Sequence, residues 1–504
     1  VTGNKNKRPL VLACVMLAMF MAAVEATIVS TAMPSIVADL GGFSLFSWVF
    51  STYLLMQVVT IPIYGKLSDM FGRKRVFAAG VTLFLAGSIL CGFAPSIEWL
   101  IAFRVLQGLG AGAVQPIATT IVGDIYTREE RAKIQGYLAS VWGISAVLGP
   151  VIGGLILQFA HWQWVFWINI PIGILAVTGV ALFLKEDVEK RKKPIDYAGT
   201  AILLTGVTAL MIVFIQGGTV WDWTGPEIIG LTGLFLVSLL LFILQEKRAA
   251  DPVMSLTIWN NRLIATANVA SLTLGAVLIG VSSYLPTYVQ IVLGESAMVA
   301  GFTLTAMSVG WPISSTLAGR WLVPLGAKKT AMIGAASLLT GAAMFTFLPQ
   351  VQHPLWAGAA SFFIGGGMGF TTTTFIVSIQ SQVVWNLRGV ATASNMFMRL
   401  LGSALGVAML GGILNNRLAA YLRTEGADLD LPRTLDVANL LLDPVQRSRF
   451  TESELAVLAG GISEALNSVY TGVFIMAVIS IILIISLPNG DVSKGSGDQR
   501  DESR

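Results

Sequence analysis

The chain has 504 residues, of which 55% are hydrophobic and 12% charged, with a net charge of +4. A soluble chain of this length needs about twice that charged fraction to cover its surface, so the surplus of apolar side chains has to face bilayer hydrocarbon. Two cysteines, Cys14 and Cys91, lie inside apolar runs, and the two histidines, His161 and His353, sit beside span ends, which excludes a disulfide framework and argues against a metal-dependent or histidine-based membrane enzyme.

A membrane-spanning helix needs about 20 mostly apolar residues. Fourteen runs qualify: about 10–31, 45–64, 77–95, 98–123, 136–160, 165–184, 197–216, 226–245, 263–293, 299–319, 329–348, 354–378, 390–414 and 468–488. The first exceeds a signal core and has no small-x-small cleavage site before the next span, so it is expected to remain as a span. It holds Glu25, the one carboxylate deep in an apolar run. Span 2 ends in Gly65-Lys-Leu-Ser-Asp69-Met-Phe-Gly72-Arg73-Lys74-Arg75, and span 4 carries Arg104. Glu25 lies six residues from the expected end of span 1 and Arg104 seven residues into span 4. At about 1.5 Å per residue both sit some 9–10 Å from the same surface, so the pair can meet if their spans adjoin.

In span 5, Gly143, Gly149, Pro150, Gly153 and Gly154 put small residues on one face, which permits close helix packing and a bend at Pro150. Later in the chain earlier features recur. Gly319-Arg320 through Gly326-Ala-Lys328-Lys329 repeats the skeleton of 65–75 without its acid, and the glycines of 108–112 have counterparts at 365–369. The plan is therefore six spans, two extra spans, then six. This gives 1–9 as an N-terminal segment, 10–184 as one half, 185–262 as the extra spans with their loops, 263–488 as the second half with a long loop at 415–467, and 489–504 as a tail. In that loop Thr451 and Glu454 form a capping box for the second of two amphipathic stretches separated at Pro444, read as a short surface helix over the outer mouth.

Charge orients the spans. Outside the spans every Lys and Arg falls on the side of the termini, except five in 415–467 (Arg417, Arg423, Arg433, Arg447 and Arg449), so both termini are expected in the cytoplasm. The positive balance is loop charge that sets topology, and it gives no reason to invoke nucleic acid.

These stretches resemble the major facilitator superfamily. The match at 65–75 covers small, acidic and basic positions together, Leu100 through Gly108 looks like its span-4 signature, and Gly143 through Gly154 looks like the span-5 motif of its antiporters. Glu25-Ala-Thr27-Ile28-Val29-Ser30, Trp162-Gln-Trp164 through Asn169-Ile-Pro171-Ile-Gly173 and the fourteen spans resemble its 14-span drug:proton antiporter branch, which usually has Asp at the position of Glu25. The resemblance implies an all-α membrane fold of two six-helix halves and a site between them at mid-depth. It implies that Gly65, Asp69, Gly72, Arg73 and Arg75 latch the halves on the inner side, with Arg128 or Arg131 as partners. It also implies that the small face of span 5 contacts the second half and seals the outer side.

The function expected is proton-coupled export of lipophilic, often cationic drugs or dyes by alternating access from the cell membrane. Glu25 and Arg104 are the coupling pair, since an intramembrane ionisable group is expensive and functional by default, and a proton and a substrate are expected to compete for Glu25. Candidate cavity residues, chosen as polar or aromatic groups within spans, are Glu25, Tyr53, Gln57, Gln115, Trp142, Tyr284, Tyr288, Gln290, Trp311, Asn395, Phe397 and Arg399, the last close enough to the cytoplasm to snorkel. No ATP-binding loop, catalytic triad or cofactor motif is recognisable, so the energy source is expected to be the proton gradient and the partners to be protons, small lipophilic substrates and membrane lipid, around a monomer. Two other readings stay open: export of an endogenous amphiphile such as a lipid, fatty acid or siderophore, and a non-transporting receptor or scaffold.

Overall fold

A computed structural model describes residues 7–40, 45–186, 196–217, 221–249, 256–424 and 450–488. Helices account for nearly all of it: α1 (Arg8–Leu40), α2 (Phe46–Phe71), α3 (Arg73–Gly92), α4 (Ile97–Ile125), α5 (Arg128–Phe159), α6 (Trp164–Trp167), α7 (Asn169–Phe183), α8 (Tyr197–Gln216), α9 (Pro226–Arg248), α10 (Arg262–Thr287), α11 (Ala297–Thr346), α12 (Leu348–Val351), α13 (Pro354–Gln382), α14 (Arg388–Thr424) and α15 (Glu452–Ile485). Among the described residues there is no β-strand, and eleven helical stretches are long and apolar enough to cross a membrane.

Local chemistry sets the helix ends. Thr127 and Glu130 form a capping box at the start of α5, Asp196 accepts from the Gly199 amide at α8, and Asn261 accepts from the amides of Leu263 and Ile264 at α10. The internal repeat is visible in the backbone. Gly72 separates α2 from α3 at φ 91°, ψ 149°, and Gly326 bends α11 at φ 78°, ψ 167°. Both positions lie in the left-handed range open to glycine, and they are equivalent places in the two copies of the 65–75 skeleton.

Two large apolar clusters follow the halves, one built from α1, α3, α4, α5 and α7 and the other from α10, α11, α13, α14 and α15. The extra helices α8 and α9 pack on one another, and Leu203, Val207, Met211 and Phe242 extend a third cluster that holds Leu55, Val59, Ala393 and Met396. They therefore lie along the seam between α2 and α14, one helix from each half.

Several expected boundaries move. The first run continues as helix to Leu40, because no helix-breaking residue follows Thr31 except Pro34, which does not stop it. Residues 452–467 form no separate surface helix. Thr451 and Glu454 do make a capping box, but the helix it opens runs without interruption to Ile485, and Leu458, Ile462 and Leu466 are buried in the second half's core. The first amphipathic stretch with Pro444 and the tail lie outside the described residues.

Close helix approach is achieved with glycine. A Cβ on Gly87 of α3 would stand 2.6 Å from the Cα of Gln107 in α4. Gly87→Ala is expected to push α3 from α4 at a cost of about 1–3 kcal/mol, read as a lower midpoint of thermal unfolding in detergent.

Candidate functional site

Three sets of residues stand out between and within the halves. The first surrounds Glu25. Its carboxylate is fully buried, with Arg104 Nη1 at 2.5 Å from Oε1 and the Asn169 Nδ2 donor at 2.6 Å from Oε2. The Arg104 guanidinium is 1% exposed, donates to Gln107 Oε1 at 2.7 Å and to the Val49 carbonyl at 3.1 Å, and lies over the Tyr53 ring at 4.2 Å. Gln107 in turn donates to Ser88 at 2.7 Å. The network ties together α1, α2, α3, α4 and α7, and the Glu25 carboxylate and Arg104 guanidinium are answered within it, as burial in low dielectric demands, while the buried Tyr53 hydroxyl has no hydrogen-bond partner among the described residues. Glu25 and Arg104 thus meet. Asn169, Gln107 and Ser88 complete the shell; Gln107 and Asn169 stand in the motifs quoted above, but their neutral side chains carry no signal of depth or partner.

The second set locks the halves at the end that carries 65–75. Asp69 Oδ1 accepts from the Gly389 amide at 3.0 Å and Oδ2 from the Val390 amide at 2.8 Å, so a residue of α2 caps the N-terminus of α14. Arg73, 1% exposed, pairs with Asp69 at 2.6 Å and Asp124 at 3.0 Å, donates to the Trp385 carbonyl at 2.8 Å and lies 4.0 Å from the centre of the Trp385 ring. Arg388 of α14 reaches back to Asp124 at 3.1 Å. A Cβ on Gly65 would meet Ala393 Cβ at 2.5 Å, and one on Gly389 would meet the Gly65 carbonyl at 2.6 Å, so the backbones touch here. The latch therefore includes Asp124, Trp385 and Arg388, which sequence reasoning missed: Asp124 falls one residue past an apolar run and Arg388 counted only as topology charge. Arg131, expected beside Asp69, instead donates to the Tyr126 carbonyl at 2.9 Å, and Arg75 is exposed. The side chains of Arg128 and Pro150 lie outside the described residues.

The small face of α5 is divided. Gly143 approaches the Ser308 carbonyl of α11, where a Cβ would stand 3.0 Å away, whereas Gly149 and Gly153 pack against Thr27, Ile28 and Thr31 of α1 within the same half. Gly154 has open space around it. The small face of α5 thus meets the second half at Gly143 and, two turns earlier, at Gly136 against Thr316, but not at 149–154, the part expected to seal the outer side. Steric space, rather than small-residue spacing, decides which helix approaches.

The third set is a cavity of about 330 Å³ between the halves, with walls from α1, α4, α5, α10, α11, α13 and α14. Of the expected cavity residues, Gln115, Trp142, Trp311 and Arg399 line it. Glu25 does not; α1 contributes Met19 to the wall instead. Tyr53 covers Arg104, Gln57 and Phe397 are elsewhere (Phe397 in the cluster under α8), and Asn395 bonds Asn268 and Ser271 inside the second half. Tyr288 stacks edge-on with Tyr470, Tyr284 donates to the Val407 carbonyl, and Gln290 bonds back to Pro286. These residues have the expected chemistry but face along the wrong side of their helices. Arg399, expected to snorkel toward the cytoplasm, is instead part of the cavity wall.

Two helical halves, an interhelix latch at the repeat skeleton and a central cavity coincide with a sequence match of residues 15–407 to the model of the Major Facilitator Superfamily. The chain belongs to that superfamily. Multidrug resistance protein 3 of Bacillus subtilis is 35% identical over 96% of this chain and 94% of the relative, and the multidrug transporter protein MdtP of the same organism is 32% identical over 100% and 97%. Among solved structures, the proton:xylose symporter XylE covers 96% of this chain with a TM-score of 0.63 at 13% identity, and the human organic anion transporter MFSD10 covers 94% with 0.61 at 13%. At that identity the likeness is one of fold. The chain is accordingly a multi-pass membrane protein of the superfamily, with the latch and cavity placed where its two halves meet.

Removing the acceptor of two backbone amides has a direct readout. In Asp69→Ala, hydrogen exchange at the amides of Gly389 and Val390 is expected to quicken at least tenfold while amides in α3 keep their rates; unchanged exchange would show that Asp69 does not hold the halves together.

Proposed function

We propose that this chain is a fourteen-span, proton-coupled antiporter of the cell membrane, with both termini cytoplasmic, that exports lipophilic compounds by rocking one six-helix half against the other. The buried Glu25–Arg104 pair carries the reading. A charge pair fully removed from water costs more to keep than an apolar substitute, and a pair that merely tied helices together could be replaced by packing. The two Bacillus relatives, named as a multidrug resistance protein and a multidrug transporter, support export of drugs rather than enzyme chemistry.

With the 65–75 end on the cytoplasmic side, the closed latch makes this the arrangement that has shut the cytoplasmic route. The position of Glu25 alters the coupling scheme. Proton and cargo do not contest one side chain, because Glu25 is absent from the cavity wall. They act on one helix: α1 carries Met19 at the cavity, Glu25 six residues on, and Thr27, whose hydroxyl donates to the Ser145 carbonyl of α5 at 3.2 Å. A proton on Glu25 cancels its attraction to Arg104 and frees α1 to shift, and cargo in the cavity opposes the same shift. Reciprocal coupling of this kind needs only a differential affinity for the two arrangements. A one-unit pH step with about 100 mV supplies roughly 3.7 kcal/mol per proton, enough for accumulation of a few hundredfold.

Glu25→Gln keeps the shape and hydrogen-bonding capacity while removing the titration. In proteoliposomes the wild type is expected to export a lipophilic dye when a proton gradient is imposed, and Glu25→Gln to lose at least 90% of that rate while still exchanging dye for dye. Full gradient-driven efflux in a folded Glu25→Gln protein would place the switch elsewhere.

A further inference from the structure

Among the described residues the cavity is lined by one charged side chain, Arg399 of α14, and by no carboxylate. Among the described residues the Arg399 guanidinium has no hydrogen-bonding or ion-pair partner, in contrast to Arg73, Arg104 and Arg388, each of which meets an acid. A guanidinium offers five donors in a planar fork and no acceptor, so its complement is a carboxylate, sulfonate or phosphate.

A second donor points the same way. Gln135 of α5 is 7% exposed, lines the cavity, and its Nε2 has no partner among the described residues. Several cavity hydroxyls, by contrast, already spend their protons on backbone carbonyls: Ser282 on Leu278 and Thr372 on Met368 of their own helices, and Ser403 on Gly275 of α10 and Arg399 of its own helix. The apolar part of the wall includes the Trp142 and Trp311 side chains. Arg399 belongs to the second half and Gln135 and Trp142 to the first, so an occupant held by both would bridge the halves.

We propose that the cavity is built for amphiphilic anions, with Arg399 as the counter-charge for a carboxylate, sulfonate or phosphate head and Gln135 as an additional donor. This rests on the exporter reading and names its cargo class, replacing the cationic cargo expected from sequence. A lipophilic cation would gain from the indole faces but would sit beside an unneutralised guanidinium inside low dielectric.

The test uses two dyes that share a fluorophore and differ in charge, dansylglycine (anionic) and dansylcadaverine (cationic), titrated against the full chain in detergent. The wild type is expected to bind dansylglycine at least tenfold more tightly. Arg399→Gln is expected to erase that preference by weakening the anion tenfold or more, Arg399→Lys to restore part of it, and Gln135→Leu to weaken the anion several-fold. If Arg399→Gln does not fold, the wild-type preference and Gln135→Leu still decide. Equal binding of both dyes by the wild type, tighter binding of the cation, or an unchanged anion affinity in folded Arg399→Gln would overturn the proposal. The same dyes in proteoliposomes separate it from the exporter reading. Gradient-driven efflux of dansylcadaverine but not of dansylglycine leaves export standing and removes the anion site, whereas tight binding of dansylglycine with no gradient-driven movement of either dye leaves the site standing and removes export.

Discussion

A guanidinium buried in a membrane protein must be answered by an acid, by carbonyls or by something the protein binds, because hydrocarbon offers it nothing. Four arginines obey this constraint in three ways. Arg104 is answered by Glu25 within one half. Arg73 of the first half and Arg388 of the second are answered at the boundary between them, where Asp124 of the first half receives both. Arg399 lines the cavity, where no acid stands among the described residues. The internal pair holds a half together, the shared acid holds two halves together, and the unanswered cation defines what the space between them can accept.

The latch shows why its residues must be of these types. Asp69 satisfies two free amides at the first turn of α14 and pairs with Arg73, whose own guanidinium is packed on Trp385. Each contact alone is of ordinary strength. Their combination across a glycine-to-glycine approach, Gly65 against Gly389, leaves little room for partial opening. Any parting of α2 from α14 therefore loses several contacts at once. The extra helices bear on the same seam, through Leu203, Val207 and Phe242 beside Ala393 and Met396.

Small residues illustrate the limit of pattern reading. Gly143, Gly149 and Gly153 have similar spacing and identical chemistry, yet Gly143 meets the other half and the later two meet α1. The cavity residues behave alike: Trp311 and Tyr284 are both aromatic groups in spans of the second half, but only Trp311 reaches the cavity. Likewise Asn169 reads as part of a tryptophan-rich signature until its amide is seen on the Glu25 carboxylate.

Composition and the apolar runs determined the all-helical membrane class, and the glycine skeleton of the repeat was legible in sequence, since solvent preference and helix length are local properties that no packing can reverse. That Glu25 and Arg104 can meet was likewise legible, because rise per residue is fixed by the α-helix itself, and the two do pair. Tertiary structure alone decided the rotation of each helix about its axis, and with it which side chains face the cavity, which acid each arginine meets and which glycines are needed for contact. Rotation is set by the neighbours' shapes, and in a chain apolar on every side no polar face betrays it.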